Sequence, residues 1–443
     1  MTKQTLEEKI PIRFPGKVTD GWKNGVVGWH IETTKAGLYT LDIEHIPDEL
    51  VAMHNNPNSP ENIEGLYSQR LCQHKCKTCF NEERGLYNQF TYSLDKEPVL
   101  DKAGKLRLNR IMSLDDTLAV VDQAIDIARS EGHEFKSVKF LGPGELLMSP
   151  QLFQIIEEYR KRGIQFNIFT KGALLGSDDL AYRFQGITAL QLTDRLARQD
   201  NVGLLVSFQS FNEELQDSLV TSKDNLGRTE GLQGYSRIRE QALQNVFNSG
   251  FYNRGRTNRI CIINAPIIPK NIDESFDIYK FFVERATPVV MTPSMLSGKG
   301  CGAYRITKEQ KEQFQNKLVE LYARIYAFNV SKGIQTEEQI KREGIASYVG
   351  AEPCNQVATG LYIRANGVVQ MCPGRFDKET VYENVQEVPL NEIWQSSPNR
   401  RLGINDPQNL LNNRCPAKDG RAFDQDFYDR VMKRYHDILK GGN

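Results

Sequence analysis

Nowhere in its 443 residues does the chain hold about eighteen unbroken apolar residues, so no segment offers itself as a helix long enough to span a bilayer. The opening MTKQTLEEKI is polar and leads into no apolar signal core, and a cytoplasmic protein without membrane association is expected. Net charge is also lacking. Because 56 basic residues balance 56 acidic ones, nothing global favours nucleic acid or an anionic membrane surface as a partner. Cysteine is scarce, with eight in the chain, too few for a disulfide framework. In a reducing compartment, clustered cysteines are more often metal ligands or redox groups. Six scattered histidines leave no Ser-His-Asp arrangement to assemble, and there are no repeats or low-complexity tracts. What is present is ordinary: 39% hydrophobic and 25% charged residues describe a globular protein with a sizeable core, long enough for more than one domain.

Between residues 114 and 332, short apolar runs alternate with amphipathic segments of helical length, the pattern of βα units around a parallel sheet. Strands are expected at 137–142, 165–170, 203–208, 259–264 and 288–292. Helices are expected at 151–163, 211–219, 232–249 and 272–285, and one opened by Ser113 with Asp115 and Asp116 in its first turn. The alternating stretch GVVGWHIETTKAGLYTLDIEH reads as a hairpin or small sheet ahead of the main body, and residues 86–112 read as a long loop. Long amphipathic helices follow at about 307–328 and 424–440. RGRTNR (254–259) reads as a solvated turn and Cys261 as core.

Cys72, Cys76 and Cys79 fall within LCQHKCKTCF, and no fourth cysteine is near. A structural zinc site closes itself with four ligands, which His74 or a distant residue would have to complete here. Three thiolates on a four-iron cluster instead leave one iron open. At the end of the strand 137–142 the chain reads Gly142-Pro143-Gly144-Glu145: glycines that let backbone approach a ligand, and a carboxylate suited to an ammonium group. Ligands of parallel α/β folds sit at that end of the sheet.

With the Cys-x3-Cys-x2-Cys loop ahead of that turn, residues 65–300 resemble the radical S-adenosylmethionine (SAM) superfamily. The resemblance implies that Cys72, Cys76 and Cys79 hold a 4Fe-4S cluster whose open iron is chelated by the methionine part of SAM. It implies that Gly142, Pro143, Gly144 and Glu145 receive the methionine amino group, and that Ser207 and Gln209 stand where ribose contacts are usual. Thr78 takes the place of the usual aromatic before the last cysteine, and Phe80 follows as the neighbouring ring for the adenine. Lys171 stands where the family often has Asn.

Cys354 and Cys372 flank GLYIRANGVVQM, two strands about an Asn366-Gly367 turn that would carry Cys372 back beside Cys354; Cys415 lies further on. This stretch resembles the SPASM and twitch extensions of radical SAM enzymes, which implies one auxiliary iron-sulfur cluster held by Cys354, Cys372 and Cys415. Its further ligand is Cys301 or no protein thiol at all, and Cys301 reads equally as a hydrogen donor to a substrate radical or as a plain buried thiol.

The expected architecture is α/β: a partial (β/α)6 TIM-like barrel (65–300) with an N-terminal β appendage (1–64), linking helices (301–350), a small α+β auxiliary-cluster domain (351–420) and a C-terminal helix (421–443). The resemblance implies an oxidoreductase-type radical SAM enzyme that splits SAM reductively and abstracts hydrogen from its substrate. Its leading substrate class is a peptide or peptidyl residue, for oxidation, crosslinking or epimerisation, and its electron donor a flavodoxin or ferredoxin. Two other readings stand beside it: radical chemistry on a small molecule or cofactor precursor, and a non-catalytic iron-sulfur or zinc protein.

Overall fold

The computed structural model of the chain describes residues 3–10, 36–56, 71–79, 110–224, 226–253, 257–293, 307–343, 356–374, 381–398, 400 and 423–441. Nine strands form one sheet: β1 (Thr40–Glu44), β2 (Ser137–Gly142), β3 (Gln165–Thr170), β4 (Val202–Ser207), β5 (Ile260–Ile267), β6 (Val289–Pro293), β7 (Gly360–Ile363), β8 (Val368–Gln370) and β9 (Val381–Asn384). Their order is β6-β5-β4-β3-β2-β1-β7-β8-β9. Every pair from β6 to β7 is parallel, and only β7–β8 and β8–β9 are antiparallel. Because β1 to β6 lie side by side in chain order, each crossover steps the same way. That is the connectivity of a (β/α) barrel and differs from a doubly wound sheet, whose order reverses at a switch point.

The crossovers are helical. Between β1 and β2 run α1 (Asp48–Asn55) and α2 (Leu114–Ser130), and between β2 and β3 runs α3 (Leu152–Lys161). The β3–β4 connection holds three short helices that the sequence reading did not mark, α4 (Ala173–Gly176), α5 (Asp178–Gln185) and α6 (Ala189–Ala197). Next come α7 (Glu213–Val220), α8 (Tyr235–Asn248) and α9 (Ile272–Val283). Ser113 caps α2 as expected: its hydroxyl accepts from the Asp116 N–H at 3.1 Å while the Asp116 carboxylate accepts from the Ser113 N–H at 3.0 Å. Helix α2 then buries Leu114, Leu118, Val121, Ala124 and Ala128 along one side.

Strand alternation gives the sheet two faces. On one, Leu41, Ile43, Val138, Phe140, Phe166 and Ile168 are buried, and His45, next on that side, bonds Tyr159 of α3 at 2.7 Å, so this face meets the helices. The opposite, inner face is polar along one row. Gln370, Tyr362, Asp42, Lys139, Asn167 and Gly203 stand in register across β8, β7, β1, β2, β3 and β4. Asp42 and Lys139 pair at 2.6 Å with almost no exposure, and Gly203 is small because a Cβ there would lie 2.4 Å from the Asn167 Oδ1.

Thr40–Glu44, grouped from its alternation with the N-terminal β stretch, lies inside the main sheet between β2 and β7. All five of its residues are buried, since its polar side meets Lys139 and Tyr362 and not water. In the C-terminal part, α10 (Lys308–Ser331) packs on α12 (Phe427–Leu439) through Tyr322 and Phe427, with ring centroids 5.3 Å apart, and through Arg434–Glu320 at 2.6 Å. Helix α11 (Leu390–Ser396) docks on α2, where the fully buried Trp394 donates to the Glu131 carboxylate at 3.0 Å. Among the described residues no helix is long and apolar enough to cross a membrane.

Candidate functional site

Where β2 ends, Gly142 and Gly144 take φ of 126° and 93°, values that side-chain-bearing residues rarely adopt. Gly144 is also a close approach: a Cβ there would lie 2.3 Å from the Leu71 carbonyl oxygen, and the Glu145 N–H donates to that same oxygen at 2.6 Å. The cysteine loop therefore starts directly on the GPGE turn. It is held on its other side by the end of α7, where the Lys75 and Lys77 N–H groups donate to Val220 and Leu219 at 2.8 and 3.2 Å.

The three thiols are electrostatic neighbours. Burial pushes the Cys72 thiol up, and the proximity of Cys76, Cys79 and Glu145 pushes the same way, while the nearby His74 backbone N–H pulls the other way. Glu145, 6% exposed, accepts from the Thr170 hydroxyl at 2.8 Å and from the Lys171 N–H at 3.0 Å, so it ties the ends of β2 and β3 together. Burial pushes its carboxyl up to about 7 in spite of these bonds. The Tyr235 hydroxyl donates to the Lys171 carbonyl at 2.8 Å, and the Tyr235 ring meets His74 edge-on at 4.9 Å. Burial, with Lys171 nearby, pushes the His74 imidazole down to about 3, and neither ring nitrogen has a hydrogen-bond partner among the described residues.

These features fit an iron-sulfur cluster. The donors are all thiols, the cradle beneath them tolerates no side chain at Gly144, and a buried imidazole between two of the cysteines keeps both its nitrogens unbonded. Among the described residues no three His, Cys, Asp or Glu side chains converge closely enough for a single metal ion, whereas a cluster takes its thiolates one to an iron.

Ser207 ends β4 half-buried on the inner face. Gln209 is committed elsewhere: its amide donates to the Ala265 carbonyl and accepts from Gln216, both at 3.0 Å, which fixes the corner between β4, β5 and α7. Phe80, Cys301, Cys354 and Cys415 lie outside the described residues. Cys372 is buried against Met371 and Tyr382, and the hairpin before it forms as expected, with Tyr362 opposite Gln370 and Gly367 at φ 83°. Since β8 runs against β7, Cys372 heads toward the N-terminal ends of the barrel strands, away from the GPGE turn.

Tyr235 and the Asp42–Lys139 pair went unremarked in the sequence. For the pair a signal existed, one charge inside each of the strands TLDIE and SVKFLG; for Tyr235, which opens α8, there was none.

Residues 354–417 match the SPASM family, an iron-sulfur cluster-binding domain. No curated protein matches the chain. Similar solved structures include native anSMEcpe with bound AdoMet, at 13% identity and TM-score 0.48, covering 91% of this chain and 97% of that one. Streptococcus suis SuiB bound to S-adenosylmethionine is 14% identical with TM-score 0.41, over 83% of this chain and 68% of that one. TYW1 with a lysine-pyruvate adduct bound is 14% identical with TM-score 0.31, over 57% and 68%. The chain thus carries a SPASM domain, of the kind that binds an iron-sulfur cluster, behind a barrel-type parallel sheet whose triple-thiol loop is clamped to the GPGE turn.

Proposed function

We propose that the chain is an oxidoreductase-type radical SAM enzyme that modifies a peptide or peptidyl residue. The observation that carries the enzyme reading is the Glu145 N–H bond to Leu71, which fixes the thiol triplet against the one turn whose glycines and carboxylate suit a bound amino acid. When bound, the cluster and SAM supply one-electron cleavage of a carbon-sulfur bond and a radical that removes hydrogen from unactivated carbon. The chain's own residues supply position and dryness. Cys72, Cys76 and Cys79 would hold the cluster, and Gly142 to Glu145 would receive the methionine ammonium. That cation would draw the Glu145 carboxyl back toward ionisation, since an opposite charge favours the charged form. Leu71, His74 and Tyr235, all at most 5% exposed, keep water from this corner.

Cys354, Cys372 and Cys415 would hold one auxiliary cluster. The direction of β8 favours a place for it at the far end of the barrel from the first, which suits electron transfer or a structural role better than direct contact with substrate at the GPGE end. Support for a peptide comes from the SPASM domain and from β9, a half-exposed strand at the outer end of the sheet among the described residues, where an extended chain could add. A flavodoxin or ferredoxin would supply the electron.

The test is anaerobic reconstitution with iron, sulfide, SAM and dithionite. About eight irons per chain and reductant-dependent 5'-deoxyadenosine are expected, and replacing Cys72, Cys76 and Cys79 by Ala should abolish the nucleoside and halve the iron. Bound zinc with intact SAM would overturn the enzyme reading. Mass spectrometry of candidate peptides then separates loss of two hydrogens, which marks oxidation or crosslinking, from solvent deuterium uptake, which marks epimerisation. Turnover of small metabolites alone would overturn the peptide assignment.

A further inference from the structure

His74 stands midway between Cys72 and Cys76, is 5% exposed, and has both ring nitrogens buried without a hydrogen-bond partner among the described residues. A neutral imidazole carries one N–H and one bare nitrogen. Leaving such groups buried and unbonded costs about 1–3 kcal/mol each, and native proteins seldom tolerate it unless a bound group completes the site.

The position of the ring limits what that group is. Its own backbone N–H is near enough to Cys72 to favour the thiolate there. The ring edge meets Tyr235, which feels the charges of Cys76 and Glu145, while the imidazole itself feels Lys171. The ring thus lies in the thiol loop, buried against Tyr235, with Lys171 on the same side. Both are already engaged: the Tyr235 hydroxyl gives its hydrogen to the Lys171 carbonyl, and the Lys171 N–H is given to Glu145. Neither offers the ring a hydrogen bond, and Cys72 and Cys76 stand on either side of it in the loop.

We propose that His74 is a positioning residue for the first cluster, donating a ring N–H to a sulfur of the cluster or of its cysteines without ligating iron. The proposal rests on the cluster reading given above. A donor to sulfur stabilises the reduced, more negative state, so His74 raises the reduction potential and makes the electron easier to accept.

The test compares anaerobically reconstituted wild type, His74→Leu and His74→Asn, the last keeping an N–H donor. Three quantities are read: iron per chain, the reduced fraction during an EPR-monitored redox titration, and the hyperfine coupling of 15N-labelled histidine to the reduced cluster. Iron should be equal in all three. At the wild-type midpoint His74→Leu should hold about tenfold less reduced relative to oxidised cluster, equivalent to ~59 mV for a one-electron couple, and His74→Asn should recover most of the difference. Wild type should show a weak nitrogen coupling that His74→Leu lacks. An unchanged midpoint in His74→Leu would overturn the proposal, as would a coupling strong enough for nitrogen bound to iron. If His74→Leu loads no iron, the wild-type coupling and His74→Asn decide. A wild type without iron removes the cluster reading first, and the iron count shows that independently.

Discussion

At the scale of single residues, His45 shows how burial sets chemistry outside the site. It follows β1, its Nε2 lies 2.7 Å from the Tyr159 hydroxyl, and it packs near Phe140 and Phe166 with ring centroids 6.4 and 6.3 Å away. Burial pushes its imidazole from 6.5 down to about 4, with Asp48 pulling weakly the other way. Between those two values the unfolded chain binds a proton that the folded chain refuses. Stability from His45 is therefore complete above pH 6.5 and is lost as pH falls toward 4, by about 3 kcal/mol over the window at 1.36 kcal/mol per pH unit. His45→Gln should remove this contribution. Urea unfolding at pH 7 and pH 4.5 should show the wild type losing more stability than the variant, and parallel losses in the two would contradict the assignment.

Among the secondary elements, α4 and α8 come close at Gly176. A Cβ on Gly176 would lie 1.8 Å from the Ile238 carbonyl oxygen and 2.7 Å from the Ala242 nitrogen, both backbone atoms that cannot swing aside. Gly250, by contrast, would place a Cβ no closer than 3.6 Å to Ala197. Gly176→Ala is expected to cost about 3 kcal/mol or more by overpacking, whereas Gly250→Ala should stay within about 0.5 kcal/mol of wild type. Thermal unfolding of the two variants compares them directly, and equal midpoints would mean that α4 and α8 do not pack this closely.

These elements differ in how far the sequence disclosed them. Ser113 with Asp116 marks the start of α2 locally, and Asn366-Gly367 marks its hairpin, because caps and turns are written in neighbouring residues. The strands from β2 to β6 were legible as apolar runs, being buried on the helix face whatever their partners. The place of β1 was not. TLDIE reads as a strand with one wet side, and only Lys139 and Tyr362, far along the chain, turn that side inward. The site divides in the same way: the cysteine spacing and GPGE announce themselves, whereas Tyr235 reaches the loop only through the α7–α8 crossover. Three short helices between β3 and β4 escaped because α4 is four residues long and α5 and α6 are capped but separated by few residues.

For the whole molecule, the consequence of β1's position is that the C-terminal part is no detachable module. β7 pairs in parallel with β1, and Glu44 at the end of β1, 2% exposed, accepts from the Tyr362 hydroxyl and from the Ala365 N–H at 2.9 Å, with Arg364 at 3.8 Å. Helix α11 adds the Trp394 bond to Glu131, the residue that caps the end of α2. Cutting the chain after residue 355 would strip β1 of one neighbour, open a long sheet edge and leave the Glu44 carboxylate without these donors, a change that costs far more than the loss of a surface bond. The shortened chain should therefore fail to unfold cooperatively in urea and should aggregate on size-exclusion chromatography. A graded version avoids dependence on a chain that does not fold: Tyr362→Phe removes one donor and should lower stability by about 1–3 kcal/mol, with the iron content of the first site unchanged. If the shortened chain keeps a wild-type urea midpoint and Tyr362→Phe costs nothing, the barrel is complete without its tail, and the tail's strands are an addition to the sheet that the fold does not need.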